Sequence, residues 1–277
     1  MLKAGKMNSQ RRPVEPIKDI LNRLNLKTGL TSHSGQPPEI LETGLQTNPS
    51  AECRICGGGG VVHPLGEDGK PRYGEVVPCV CSQERMLRER YEHILKLCQL
   101  PAGTESWTFE NFDYSGPLRE AYEAALELAE ERGIKWLTLV GPVDTGKSHL
   151  AVAICRRWLA RGKPARYVLV PLMLEELRAG YQFEGEYDRR LEFLLKVPLL
   201  VLDDLGTQKP TEWAMERLMQ IVDYRYVNAL PLVVTTNKSL DNLPGDTEHR
   251  IGSRLLRATF GKIIQIDAIE YRLRRNG

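Results

Sequence analysis

No run of apolar residues in this sequence approaches the roughly 20 that a membrane-spanning helix needs, which excludes a helical membrane protein. The first residues carry charges and no apolar core segment, so no signal peptide is visible and a cytoplasmic location is expected. Internal repeats and low-complexity tracts are also absent. Nor is there a strong imbalance of charge: 38 Lys+Arg against 36 Asp+Glu give +2, so the chain as a whole is not a polycation. The charge is uneven, however. Residues 1–28 hold seven Lys or Arg against Glu15 and Asp19. From Arg250 onward, Arg250, Arg254, Arg257, Lys262, Arg272, Arg274 and Arg275 face only Asp267 and Glu270. Such clusters suit nucleic acid or a subunit interface, and solvated faces as well. What remains is the composition of a soluble globular protein, 42% hydrophobic and 27% charged, with room in 277 residues for one sizeable domain and a smaller one.

The strongest local signal is Gly141-Pro142-Val143-Asp144-Thr145-Gly146-Lys147-Ser148, followed by His149. It lies between the apolar run Trp136–Val140 and the helical pattern Leu150–Ile154, so it reads as strand, glycine loop, helix. In that setting the loop amides and the helix N-terminus face an anion, Lys147 reaches terminal phosphates, and the Ser148 hydroxyl can hold Mg²⁺. ATP with Mg²⁺ is the expected ligand. Downstream, Leu199–Leu202 ends in Asp203 and Asp204, two carboxylates whose adjacency on a buried strand is costly without a cation. Asp203 is expected to help hold Mg²⁺, and Asp204 to polarise the attacking water. The run Leu232–Thr236 ends in Asn237, placed for a polar sensor of the γ-phosphate. Arg250 and Arg254 are spaced for one helical face. Either could neutralise a neighbouring subunit's γ-phosphate, which requires an oligomer with ATP at subunit boundaries.

Four of the six cysteines cluster as Cys53-x-x-Cys56 and Cys79-x-Cys81. Two tight turns bearing paired thiolates match tetrahedral zinc at about 2.3 Å per sulfur, and Zn²⁺ is expected here. A redox or disulfide cluster is the alternative, and His63 is a further possible ligand. A unit of some 35 residues has almost no core, so metal has to supply most of its stability. A hairpin pairing Val61–His63 with Tyr73–Val77 is expected within it. Upstream, Ile17, Ile20, Leu21 and Leu24 mark a short helix over Val14–Leu26, suited to a partner or to packing on its own chain. The expected organisation is a basic arm with helix and linker (1–50), a zinc-binding module (51–82), a helical connector (83–112) and an ATPase domain (113–277). Trp107, Phe109 and Phe112 could line an adenine pocket or pack the connector onto the next domain. Cys98 and Cys155 read as ordinary buried thiols.

From Pro117 helix and strand patterns alternate: a helix to Gly133, another over Thr211–Asn228, and strands at Trp136–Val140, Arg166–Val170, Leu199–Leu202, Leu232–Thr236 and Lys262–Ile266. Short apolar runs rich in β-branched residues suit strands buried on both faces, so a three-layer α/β domain with a five-stranded parallel sheet is expected.

These motifs in this order resemble the AAA+ series, and their details resemble its DnaC/DnaI/IstB-like branch. The carriers are Gly146–Ala151, Leu199–Gly206, Val233–Asn237, Arg250–Leu256 and Glu270–Arg274, and the resemblance covers about residues 105–277. It implies a cytoplasmic ring ATPase without a helical lid. Such an ATPase loads the replicative hexameric DNA helicase onto single-stranded DNA during replication initiation or restart, within the primosome. The cysteine module resembles the zinc-bearing N-terminal domain of DnaI-type loaders, which binds the helicase. By the same resemblance Asn237 is sensor 1, Arg254 the arginine finger and Arg272 a sensor-2 candidate. An IstB-like ATP-binding transposition helper, and a nucleotide-gated adaptor with negligible hydrolysis, are the alternatives. The departure is Asp144, where loaders have glycine; viral superfamily 3 helicases carry a similar loop. Aspartate tolerates left-handed backbone angles, so the loop is expected to keep its shape and hydrolysis to be slow.

Overall fold

The computed structural model describes residues 53–209, 211–238 and 246–268. The expected helix Val14–Leu26 and Arg272 lie outside them. Backbone contacts divide the chain between Glu89 and Arg90 into two compact units.

In the first unit, β1 (Val61–Val62) pairs antiparallel with β2 (Val77–Pro78), and a Leu65–Pro71 bridge narrows the hairpin between them. Helix α1 (Val80–Cys98) begins inside the second cysteine pair and spans the divide.

The second unit is built on five parallel strands: β3 (Trp136–Val140), β4 (Ala165–Leu169), β5 (Leu199–Leu205), β6 (Leu232–Thr236) and β7 (Gly261–Gln265). Their order across the sheet is β4-β5-β6-β3-β7. Successive side chains of a strand point to opposite faces, and here both faces are apolar. Leu137, Leu139, Leu199, Val201, Val233 and Ile264 join one core, and Trp136, Val140, Leu200, Leu202, Leu232 and Val234 the other. The first core is completed by the end of α1, α2 (Arg119–Ala129) and α3 (Lys147–Ala160). The second is completed by α4 (Val170–Ala179), α5 (Glu186–Lys196), α6 (Glu212–Val227) and α7 (Asp246–Arg257). The result is the three-layer α/β arrangement expected from the strand pattern.

Boundaries shift for local reasons. Strand β4 stops one residue early because Val170 already opens α4, with Pro171 in its first turn. The expected helix from Pro117 is a 3₁₀ turn, Gly116–Leu118, leading into α2. Strand β5 runs on through both acids to Leu205 because its pairing with β6 slips between Leu202 and Leu205.

The segment between α1 and α2 is strapped onto the first core. Ile94, Cys98, Phe109 and Phe112 are buried there. Arg156 on α3 donates to the Thr104 carbonyl at 2.8 Å, and Arg166 on β4 to that of Leu97 at 3.3 Å. Arg157 pairs with Glu110 at 3.2 Å.

At the sheet end where β5 and β6 begin, Arg225 is wholly buried. It donates to the carbonyls of Leu194, Leu195, Pro198 and Pro231. Removing it strands several buried acceptors, each costing about 1–3 kcal/mol. Arg225→Ala is therefore expected to destabilise the protein by at least about 2–4 kcal/mol in urea unfolding, with m unchanged.

Candidate nucleotide site and cysteine centre

At the C-terminal edge of the sheet, β3 is flanked by β6 and β7, and its chain continues into the glycine loop. Val140 pairs with Thr236 and Gln265, and the Gly141 amide donates to the Thr236 carbonyl at 3.2 Å. The loop therefore starts beside Asn237, which is exposed at the end of β6. A Cβ on Gly141 would lie 2.5 Å from the Ile266 carbonyl oxygen, so no side chain fits there. Gly146, which precedes α3, has φ +92°, and a Cβ on it would lie 2.7 Å from the Phe112 ring. Asp144 stands at φ +60°, in the left-handed region that aspartate enters more readily than most residues, so the loop keeps its turn where glycine is usual.

The Lys147 ammonium donates to the carbonyls of Gly141 (2.9 Å) and Pro142 and to Thr145 Oγ1 (3.4 Å). Burial pushes its pKa down, and the Asp203 and Asp204 carboxylates oppose that. Ser148 Oγ donates to both oxygens of Asp203 at 3.0 Å, so the first residues of α3 and the end of β5 meet at one point.

Asp203 is only 3% exposed and has two further donors. Tyr167 on β4 gives its hydroxyl to Oδ2 at 2.5 Å, and Thr235 on β6 gives its own to Oδ1 at 2.5 Å. Burial, with the Asp203 carboxylate beside it, holds Tyr167 far above the ordinary phenol range, so its hydroxyl remains a donor. Thr235 Oγ1 also accepts from the Asp204 amide at 2.9 Å, and Thr236 Oγ1 donates to the Leu205 carbonyl at 2.7 Å. These threonines bridge the slip in the β5–β6 ladder where Asp204 adopts φ +60°.

The structure thus brings Lys147, Ser148 and Asp203 together, and places Asp204 and Asn237 on the same edge. His149 is turned elsewhere. It stacks on Trp107 at 5.6 Å, meets Phe112 edge-on at 5.1 Å, and its Nε2 lies 2.9 Å from the Thr108 carbonyl. Burial lowers its pKa, and the Thr108 contact opposes that. Of the connector aromatics, Phe109 and Phe112 serve the core, and Trp107 packs against it. Arg254 is engaged on its own chain, its Nε donating to Asp223 at 2.7 Å and its guanidinium 5.3 Å from the Tyr226 ring centre. The Arg250 side chain lies outside the described residues. Tyr167 and Thr235 were not singled out by sequence. The available signal was a hydroxyl in each of two otherwise apolar strands, since a buried hydroxyl has to find a partner.

A profile of the family described as IstB-like ATP binding protein matches residues 62–275. The chain belongs to this IstB-like family. Its relatives include the replicative helicase loader DnaC of Escherichia coli strain K12, 28% identical over 54% of this chain and 63% of that protein. Another is YqaM of Bacillus subtilis strain 168, an uncharacterised protein 26% identical over 67% of this chain and 61% of its own length. The IstB-like chain thus spans about three fifths of the length of these relatives. A crystal structure of the DnaC helicase loader superposes with a TM-score of 0.53 at 23% identity, covering 60% of this chain and all of the other. That likeness is one of fold, a five-stranded parallel sheet between layers of helices.

In the first unit, Cys53, Cys56, Cys79 and Cys81 converge, their sulfurs all within 4.8 Å of one another. Cys53 and Cys79 are 3.8 Å apart, and Cys56 and Cys81 are 3.4 Å apart. A tetrahedral zinc with bonds of about 2.3 Å sets its sulfurs about 3.8 Å apart, so this donor set fits that ion. The Gly60 amide donates to the Cys56 sulfur at 3.3 Å and brings its pKa down to about 7, while the neighbouring Cys56 sulfur pushes Cys81 up to about 12. Thiolates this close repel unless a cation joins them. His63 is not among the four: its Nδ1 lies 2.7 Å from the Glu75 carbonyl, and its ring packs on Tyr73.

Substituting Gly146 by alanine forces a left-handed Ala, costing about 1–2 kcal/mol, and drives a methyl into Phe112. Gly146→Ala is expected to lower the melting temperature measurably. A second change, Phe112→Leu, should return part of the loss in the same calorimetric experiment.

Proposed function

We propose that this IstB-like chain binds ATP with Mg²⁺, hydrolyses it slowly, and serves as a loader of the replicative DNA helicase onto single-stranded DNA. The ATP reading is carried by one observation: the Ser148 hydroxyl on the glycine-loop helix meets the Asp203 carboxylate at 3.0 Å. In this reading the loop amides and Lys147 bind the phosphates. Ser148 and Asp203 are the residues that would hold Mg²⁺, whose charge offsets that of the phosphates. Asp204 polarises the attacking water and Asn237 orients it. Arg254 acts on a neighbouring subunit's γ-phosphate in a homo-oligomer, which requires it to leave Asp223.

The helicase reading is supported by the similarity to DnaC and by the cysteine cluster, which we assign to structural Zn²⁺ in a partner-binding module. The second reading, an ATP-binding helper of a transposase, is favoured by the similarity to putative ATP-binding proteins of insertion sequences. Pull-down of the full chain from cell extract separates them: recovery of a hexameric helicase supports the first, and recovery of a transposase overturns it.

For the nucleotide site, Lys147→Ala is expected to weaken ATP binding at least about tenfold, since it removes a charge-assisted donor. Asp144→Gly removes a carboxylate near phosphate charge and should strengthen binding by roughly tenfold and speed turnover. Isothermal titration of the three proteins checks both, and absence of ATP binding by the natural chain would sink the reading. For the cysteine centre, elemental analysis is expected to find about one zinc per chain, lost in Cys56→Ser. Chelation should expose all four thiols to a thiol reagent while ATP affinity stays as it was. A metal-free protein with four freely reactive thiols would remove zinc from this account.

A further inference from the structure

Tyr167 and Thr235 occupy positions that apolar residues would fill at no polar cost. They are 4% and 1% exposed, and phenylalanine or valine would pack there without a buried hydroxyl to satisfy. Both hydroxyls instead end on Asp203, one on each carboxylate oxygen. Ser148 lies across both oxygens from the third side. A carboxylate gripped at Oδ1 from β6 and at Oδ2 from β4 cannot rotate about its Cβ–Cγ bond without breaking one of these bonds. Hydrogen bonds to a buried charged group are among the stronger ones a protein makes.

Thr235 has a second connection. The oxygen that donates to Asp203 accepts the amide of Asp204, at the residue whose φ is +60° and where β5 slips against β6. One hydroxyl therefore ties the orientation of the first acid to the backbone of the second.

We propose that Tyr167 and Thr235 are positioning residues of the nucleotide site. Tyr167 fixes the rotation of Asp203 toward Ser148, and Thr235 fixes Asp203 and Asp204 together. The inference rests on the reading of this edge as an ATP–Mg²⁺ site, and it assigns the two hydroxyls separable effects. Tyr167 acts on the step in which Mg²⁺ strengthens nucleotide binding. Thr235 acts on that step and also on hydrolysis, because of these two hydroxyls it is the one bonded to the Asp204 amide.

The test is titration of the full chain with a fluorescent ATP analogue in Mg²⁺ and in EDTA, the ratio of the two affinities being the readout. Single-turnover hydrolysis at saturating Mg²⁺–ATP accompanies it. Tyr167→Phe is expected to cut the Mg²⁺-dependent gain in affinity by roughly tenfold while affinity in EDTA is unchanged. Its hydrolysis of bound ATP is the reference for the second variant. Thr235→Val is expected to cut that gain similarly and to slow hydrolysis of bound ATP by a further factor of roughly ten. Thr235→Ser should restore both. Tyr167→Phe keeps the ring and its packing, so the test stands even where Thr235→Val unfolds. An unchanged Mg²⁺-dependent gain in Tyr167→Phe, or a Thr235→Ser protein as impaired as Thr235→Val, overturns the inference alone. A natural protein that binds no nucleotide in Mg²⁺ overturns the site reading and this inference with it.

Discussion

A carboxylate sealed between strands must be satisfied by groups that arrive with the fold, and the groups that satisfy Asp203 come from α3, β4 and β6. Ser148, Tyr167 and Thr235 lie 55, 36 and 32 residues from it in sequence and reach it only when the sheet is assembled in its β4-β5-β6-β3 order. The candidate site is thus a product of strand register. The β5–β6 ladder slips before Leu205, where Thr235 bonds to the Asp204 amide and Thr236 to the Leu205 carbonyl, and Asp204 stands there in a left-handed backbone conformation. Strain of that kind persists only where the surroundings over-determine it.

Much of this was legible in the sequence because the two signals do not compete. Strands buried on both faces read as short continuous apolar runs, and five such runs gave five parallel strands. The glycine loop and the acid-ended strand carry their chemistry in adjacent residues, so spacing alone located them. The cysteine pairs were legible for the same reason. What spacing could not supply was any contact made across the sheet. Tyr167 is 36 residues from Asp203 and looks like an ordinary β-former. The Arg254–Asp223 pair joins two helices whose relative placement no local pattern encodes. His149 belongs to the loop motif by position, yet its ring is claimed by Trp107 and Phe112, residues of a segment that sequence alone could not assign to core or ligand.

The strap between α1 and α2 gives the glycine loop a second set of neighbours. Helix α3 carries Ser148 toward Asp203 at its start, and the same helix holds the strap through His149, Arg156 and Arg157. One rigid rod therefore faces the candidate phosphates at its tip and the connecting segment along its flank. Any rotation of that rod is felt at both.

The two glycines of the loop have a meaning that outlasts the chemistry. Gly141 is required because the Ile266 carbonyl occupies the space of a side chain, and Gly146 because the Phe112 ring does and its own φ is positive. Neither reason involves a phosphate. In a descendant of this chain released from selection for nucleotide binding, packing alone would keep both glycines in place. Half of the most recognisable signature in the sequence is a record of how the domain is folded, and only the other half reports what the domain does.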